Sequence, residues 1–220
     1  GTYDIILSNE AMISFLATFL PNFSSYSMQK GISLLADKEG ERIASSCVTI
    51  TEEPMYDKAL IKVPFDSEGV ITSAKSIIED GIFKTAFYNI KTANKAGIKS
   101  TGNGLKGGIS FTNLIVKPGT KNFAELCETV KDGLYITELN GLHAGVNTIS
   151  GDFSLFCEGF LIKDGKLDHA VEQITLSDNF YDVLQKISEL GNDTISEPEG
   201  AGEIFTPSAI IKDISVAGDA

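Results

Sequence analysis

Zinc prefers nitrogen and sulfur donors, and this sequence offers them at His143, His169, Cys47, Cys127 and Cys157. No pair falls at a C-x-x-C or H-x-x-x-H interval, so a metal site built from them would need distant acids at no recognisable spacing. His143 stands in Gly141-Leu142-His143-Ala144-Gly145 and offers a general base for a nucleophile such as Ser150 or Cys157. A loop histidine making ordinary hydrogen bonds is the favoured reading. His169 falls in a predicted hairpin strand and is given no chemistry.

Paired carboxylates can share acid and base work, and Glu52-Glu53, Glu79-Asp80 and Glu197 with Glu199 are the candidates. All lie in turn-like or strongly polar sequence, which reads as solvated surface charge. The run Gly102-Asn103-Gly104-Leu105-Lys106-Gly107 matches G-x-G-x-x-G. A dinucleotide site needs a strand before that run and a helix N-terminus after it to receive the pyrophosphate. Residues 109–117 instead read as a strand, so the run is taken as a loop that lets another backbone approach closely.

Three amphipathic helices are expected to position these groups. The first covers residues 9–20, with Ser8 as N-cap and Met12, Phe15, Leu16, Phe19 and Leu20 on one stripe. The second starts at Asn122, with Glu125 three residues on as in a capping box, and is ended by Gly133; its stripe makes Cys127 a core residue. The third covers residues 179–190, with Gly191 as a left-handed C-cap. Between them, acid-glycine turns at Asp37 to Gly40, Asp66 to Gly69, Asp80-Gly81 and Asp164-Gly165 separate strand-like runs. Residues 33–36 are expected to pair with 42–50, residues 77–78 with 82–88, and residues 160–162 with 167–174. The predicted class is α+β, with antiparallel hairpins forming a large curved sheet or barrel-like core.

The chain has 30 acidic and 18 basic residues, a formal net charge of -12. That charge repels a phosphate backbone, and no basic stripe offsets it, so direct nucleic-acid binding is not expected. The scattered, odd-numbered cysteines fit reduced thiols in a cytoplasm better than a disulfide framework. No apolar run is long enough to span a membrane.

Taken in order, several stretches resemble the C-terminal domain of the TldD/PmbA family, whose members are also known as modulators of DNA gyrase, and in particular its PmbA (TldE) branch. They are Pro64-Phe65-Asp66-Ser67-Glu68-Gly69-Val70, Glu79-Asp80-Gly81, Ser100-Thr101-Gly102-Asn103, Gly141-Leu142-His143-Ala144-Gly145-Val146-Asn147, Ser150-Gly151-Asp152-Phe153-Ser154, Gly191-Asn192-Asp193, and Pro207-Ser208 through Ser215-Val216-Ala217-Gly218. The resemblance implies one C-terminal domain over residues 1–220, with the family's N-terminal domain not included in this chain.

The TldD branch is similar to a zinc peptidase with a His-Glu-x-x-x-His motif entering a helix and a cysteine ligand beyond Gly-Asn-Asp. The motif's positions fall here on Asn9, Glu10 and Ser14, and Glu199-Gly200-Ala201-Gly202-Glu203-Ile204-Phe205 holds no cysteine. Only Glu10 remains, and alone it can neither lower the pKa of a water nor polarise a carbonyl. The resemblance therefore implies a zinc-less, non-catalytic subunit whose companion is a zinc-bearing TldD-type homologue, the pair enclosing a cleft for unfolded or extended peptide. No cofactor is expected in this chain, and zinc only in the partner. Peptide contacts are expected near Thr101, Gly102, Asn103, Gly104, His143, Ser150 and Gly151, and the isolated chain is a candidate homodimer. The alternatives are a stand-alone hydrolase using His143 with Ser150 or Cys157, and a binding module unrelated to proteolysis.

Overall fold

Residue by residue, Asp152-Phe153-Ser154-Leu155-Phe156-Cys157 alternates outward and inward, and that period of two drives the longest hairpin of the fold. The computed structural model describes residues 1–218; Asp219 and Ala220 lie outside the described residues. In chain order the first half contains β1 (Thr2–Leu7), α1 (Asn9–Phe19), a 3-10 turn (Leu20–Phe23), α2 (Ser25–Gln29), β2 (Ile50–Glu52), β3 (Lys75–Glu79), β4 (Ile82–Phe83), α3 (Ile90–Ala96) and β5 (Leu114–Val116). The second half contains α4 (Phe123–Val130), β6 (Gly133–Asn140), β7 (Asp152–Lys163), β8 (Lys166–Asn179), α5 (Phe180–Lys186), β9 (Ile187–Leu190), β10 (Ile195–Glu199), β11 (Gly202–Thr206) and β12 (Ala209–Ala217).

Five strands close into a barrel. β1 pairs in parallel with β6 and antiparallel with β12, while β6, β7, β8 and β12 follow one another antiparallel. Closure leaves so few strands around the axis that side chains fill the interior: Ile5, Leu134, Leu155, Cys157, Ile174 and Leu176 are all buried. Asp164 and Gly165, at φ 50° and 75°, make the β7–β8 turn, whose left-handed backbone matches the twist of the strands. Gly159 lies directly over the Tyr135 carbonyl, where a Cβ would collide.

The other sheet is open, in the order β10-β11-β5-β2-β3-β4, and none of its strands exceeds five residues. α1 packs between the two sheets. Its Phe19 stacks on Phe180 of α5 at 4.2 Å between centroids, and Phe15 meets Phe153 of β7 edge-on at 5.4 Å. One apolar cluster runs through both sheets.

The α+β class with a barrel-like core matches the sequence expectation, with differences in detail. Among the described residues five α-helices stand where three were expected, because α2 and α3 are too short to show an apolar period. The third expected helix stops at Lys186: residues 187–190 form β9 against Ala209 to Ile211 of β12, since an available strand edge outweighs a helical pattern. Lys131, at φ 64°, ends α4 before Gly133, which opens β6. Residues 33–36 do not pair with 42–50. Arg42 bridges to Ile82 instead, and Gly40 N and Phe83 N donate to Phe83 O and Glu41 O, so this segment covers the outer edge of β4.

Candidate functional site

Where β1 leaves the barrel, Ser8 accepts a hydrogen bond from Ala11 N at 3.1 Å and fixes the start of α1. This places Asn9, Glu10 and Ser14 beside two segments distant in sequence. Asn9 Nδ2 donates to the Asp193 carbonyl at 2.7 Å, while its Oδ1 accepts from Glu10 N at 2.9 Å. The Asp193 carboxylate in turn accepts from Ser208 N at 3.0 Å and Ser208 Oγ at 2.6 Å. Tertiary structure thus joins the stretches around residues 9, 193 and 208. Burial first, then the negative charges of Asp193 and Glu10, raise the pKa of the Tyr135 phenol.

These residues do not fit a zinc ion. The Asn9 amide is committed on both of its polar atoms, and Ser14 Oγ donates back to the Glu10 carbonyl at 3.3 Å. Neither group matches the imidazole or thiolate that zinc selects. Among the described residues no group of three or more His, Cys, Asp or Glu is arranged to hold a metal.

The Thr101 to Gly104 stretch is held from below. Glu52, 0% exposed, accepts from Asn103 Nδ2 at 2.8 and 3.1 Å, from Thr112 N at 2.6 Å and from Thr112 Oγ1 at 2.9 Å, and pairs with Lys75. Lys75 also donates to the Thr101 carbonyl at 3.0 Å. Asp66, likewise buried, accepts from Glu68 N, Val70 N and Gly104 N at 2.9 Å each. The reading of Glu52 as solvated charge is therefore corrected; it shares the inward face of β2 with Ile50, two residues back, an alternation visible in the sequence. Glu79, Glu197 and Glu199 are exposed as expected. Gly102, Asn103 and Gly104 are buried, and Thr101 half-buried.

His143 lies exposed in the β6–β7 connection, with no hydrogen bond to Ser150 or Cys157 among the described residues. Ser150 Oγ donates to Asp152 Oδ2 at 2.8 Å, and Asn179 Nδ2 donates to the Ser150 carbonyl and to Asp152 Oδ1. These two donors hold the Asp152 carboxyl below the usual carboxylate range. Gly151, at φ 87°, is buried against the Tyr181 ring. Cys157 is sealed inside the barrel, and burial pushes its thiol up to about 12, so no thiolate nucleophile is present at neutral pH. Cys127 is core, as expected, and Cys47 is exposed. His169 Nδ1 lies 3.1 Å from Oδ2 of its exposed neighbour Asp168.

A further opening lies elsewhere. A cleft of about 1050 Å³ runs between the C-terminal end of α1, α2, α3, the loop around residues 107–111 and the β10–β11 turn. None of Asn9, Glu10, Ser14, Thr101 to Gly104, His143, Ser150 or Gly151 lines it. Beside it β10 forms an edge of the open sheet, and its main chain makes no backbone hydrogen bond except to β11 among the described residues. No sequence motif flagged either feature; the exposed, acidic Ser196-Glu197-Pro198-Glu199 run was the nearest signal. No helix of the described residues is long and apolar enough to cross a membrane.

Comparison with known proteins gives a consistent result. Residues 1–218 match the model of the PmbA/TldA metallopeptidase C-terminal domain. The chain is 32% identical to metalloprotease PmbA of Escherichia coli O157:H7, over 97% of this chain and 45% of that protein. A crystal structure from Thermotoga maritima, described as a candidate modulator of a DNA gyrase, superposes with a TM-score of 0.94 at 41% identity, over 99% of this chain and 50% of that one. TldE from Thermococcus kodakarensis superposes with a TM-score of 0.89 at 27% identity, again over 99% and 50%. The chain spans about half the length of the curated relatives it matches.

Proposed function

Because this chain belongs to the PmbA/TldA metallopeptidase C-terminal domain family, we propose that it serves as a non-catalytic, TldE-type subunit of a two-component peptidase. In this reading it binds extended peptide and assembles with a zinc-bearing TldD-type homologue that performs the cleavage. One observation carries it: at the family's motif positions, Asn9 and Ser14 spend their polar atoms on this protein's own backbone. A side chain so committed gives a metal no strong donor, and without that Lewis acid Glu10 has no activated water to deprotonate.

The free edge of β10 supports the peptide-binding half of the proposal. An extended segment laid beside it would gain main-chain hydrogen bonds indifferent to side-chain identity, which suits unfolded substrates. Pro198, in the middle of that edge, has no N–H to give and so limits indiscriminate strand pairing. Without its partner the chain is expected to self-associate as a homodimer.

Elemental analysis and a peptidase assay on the same preparation test the proposal. The chain alone is expected to hold no stoichiometric zinc and to leave an unfolded polypeptide intact. Co-expressed with a zinc-bearing family member, it is expected to copurify and to support cleavage that a chelator abolishes. One equivalent of tightly held zinc in the chain alone, or chelator-sensitive cleavage by it, would overturn the reading.

A further inference from the structure

The cleft beside β10 carries a charge opposite to that of the chain. Lys30 stands at the end of α2, and Lys91 and Lys95 stand four residues apart on α3; all three line the cleft and are exposed. None pairs with a carboxylate among the described residues, as is true of several other exposed lysines, but these three converge on one opening. Like charges at i and i+4 weaken a helix, so the pair on α3 is not explained by helix stability.

Hydrogen bonds tie together the helices that carry these lysines. Thr92, between the two on α3, accepts at its carbonyl from Gln29 Nε2 at 2.9 Å, and at Oγ1 from Ser25 Oγ at 2.8 Å, which ties α3 to α2. Asn89 closes a capping box with Thr92 at the start of α3. Lys30 Nζ rests 5.8 Å from the centroid of the Tyr26 ring. Glu199 supplies the lone carboxylate of the lining, while Ala17, Leu20, Phe87 and Phe111 give an apolar side.

The geometry points to this cleft as a binding site for an acidic segment of extended polypeptide, whose carboxylates meet Lys30, Lys91 and Lys95 while its apolar side chains lie against Leu20 and Phe111. Three features favour a peptide over a small anion. The volume lies just above the range of about 300–1,000 Å³ usual for small-molecule sites. The lining combines apolar and cationic surface. Finally, Glu199 and Gly200 at the end of β10 form part of the wall, so a strand added to that edge is led into the cleft. In a chain of net charge -12, a local cluster of unpaired cations is what lets an acidic substrate approach at all. The inference deepens the peptide-binding reading above and rests on it.

Fluorescence anisotropy with short labelled peptides of matched apolar content tests it. One peptide carries glutamates, a second the same sequence with glutamines, and an oligonucleotide of equal charge serves as a third probe. The wild-type chain should bind the glutamate peptide about tenfold more tightly than the glutamine peptide at low salt, and the preference should shrink as salt rises. Lys30→Gln/Lys91→Gln/Lys95→Gln should erase the preference by weakening glutamate-peptide binding, with a thermal midpoint no lower than that of the wild type. Lys163→Gln/Lys166→Gln on the distant barrel hairpin removes charge without touching the cleft and should retain the preference. Equal affinity for the two peptides, a preference that survives the triple substitution, or tighter lysine-dependent binding of the oligonucleotide would overturn this proposal and leave peptide binding standing. Failure of the chain to bind either peptide would overturn both.

Discussion

The closed barrel and the open sheet solve the same folding problem by different means. In the barrel, long strands satisfy one another's main chain, and the interior is apolar: Leu155, Cys157, Ile174 and Leu176 need no polar partner beyond the ladder. In the open sheet the strands are short and long loops connect them, so buried carboxylates take over the bonding. Glu52 gathers the Asn103 amide, the Thr112 main chain and Lys75; Asp66 gathers three N–H groups; Glu203 accepts from Leu60 N at 2.5 Å and Ile61 N at 3.0 Å. A closed ladder exposes no edge, whereas an irregular sheet pinned by side chains can leave one free. The half of the molecule that depends on buried charge is therefore also the half with β10's open edge and the cleft.

Breaking the buried charge should produce the largest effect. Glu52→Gln leaves Lys75 largely buried without its counter-charge, and a loss of about 3–5 kcal/mol is expected from urea unfolding. Glu52→Gln combined with Lys75→Met should recover part of that loss, because removing both partners leaves no buried orphan charge. A double variant as unstable as the single one would mean that the network matters for shape rather than charge.

In the barrel, Leu155→Ala should cost about 2–5 kcal/mol through the cavity it opens, and no second polar substitution should rescue it. Rescue there would blur the distinction between the two halves. Glu203→Gln weakens charge-assisted bonds to two main-chain donors and should cost about 1.5–3 kcal/mol; proteolysis should then cut near Leu60 first, with the barrel remaining intact.

The smallest effect lies at Asp152, on the barrel's rim. Its folded pKa is lowered by donors from Asn179 and Ser150, so its stabilising contribution is complete above the ordinary carboxylate range and is lost as pH falls through the folded value. Asp152→Asn should flatten the acid limb of stability against pH, measured by urea midpoints from neutral to acidic pH, by lowering the neutral midpoint slightly while leaving the acidic midpoint nearly unchanged.

Local signals were legible where a short run of residues decides its own conformation. Ser8 and the Asn122/Glu125 box cap α1 and α4 at the residues expected, and Asp164-Gly165 turns the hairpin its flanks suggest. Asn9, Glu10 and Ser14 and the segment around Asp193 were singled out from sequence, although their contact was not legible there. Residues 187–190 were misread because a helical stripe and a half-buried strand look alike over four residues. Glu52 was misread because an acidic pair suggests solvent until its partners, fifty and sixty residues away, are in place.

Sequence alone thus settled which donors residues 9, 10 and 14 carry, since residue identity fixes which donors exist, and it settled the caps and turns, which depend on neighbours in the chain. Tertiary structure decided which edge stayed open, which carboxylates were buried and which lysines met. Those outcomes depend on packing between segments far apart in sequence, and Lys30, Lys91 and Lys95 share a cleft only because Thr92 ties α3 to α2.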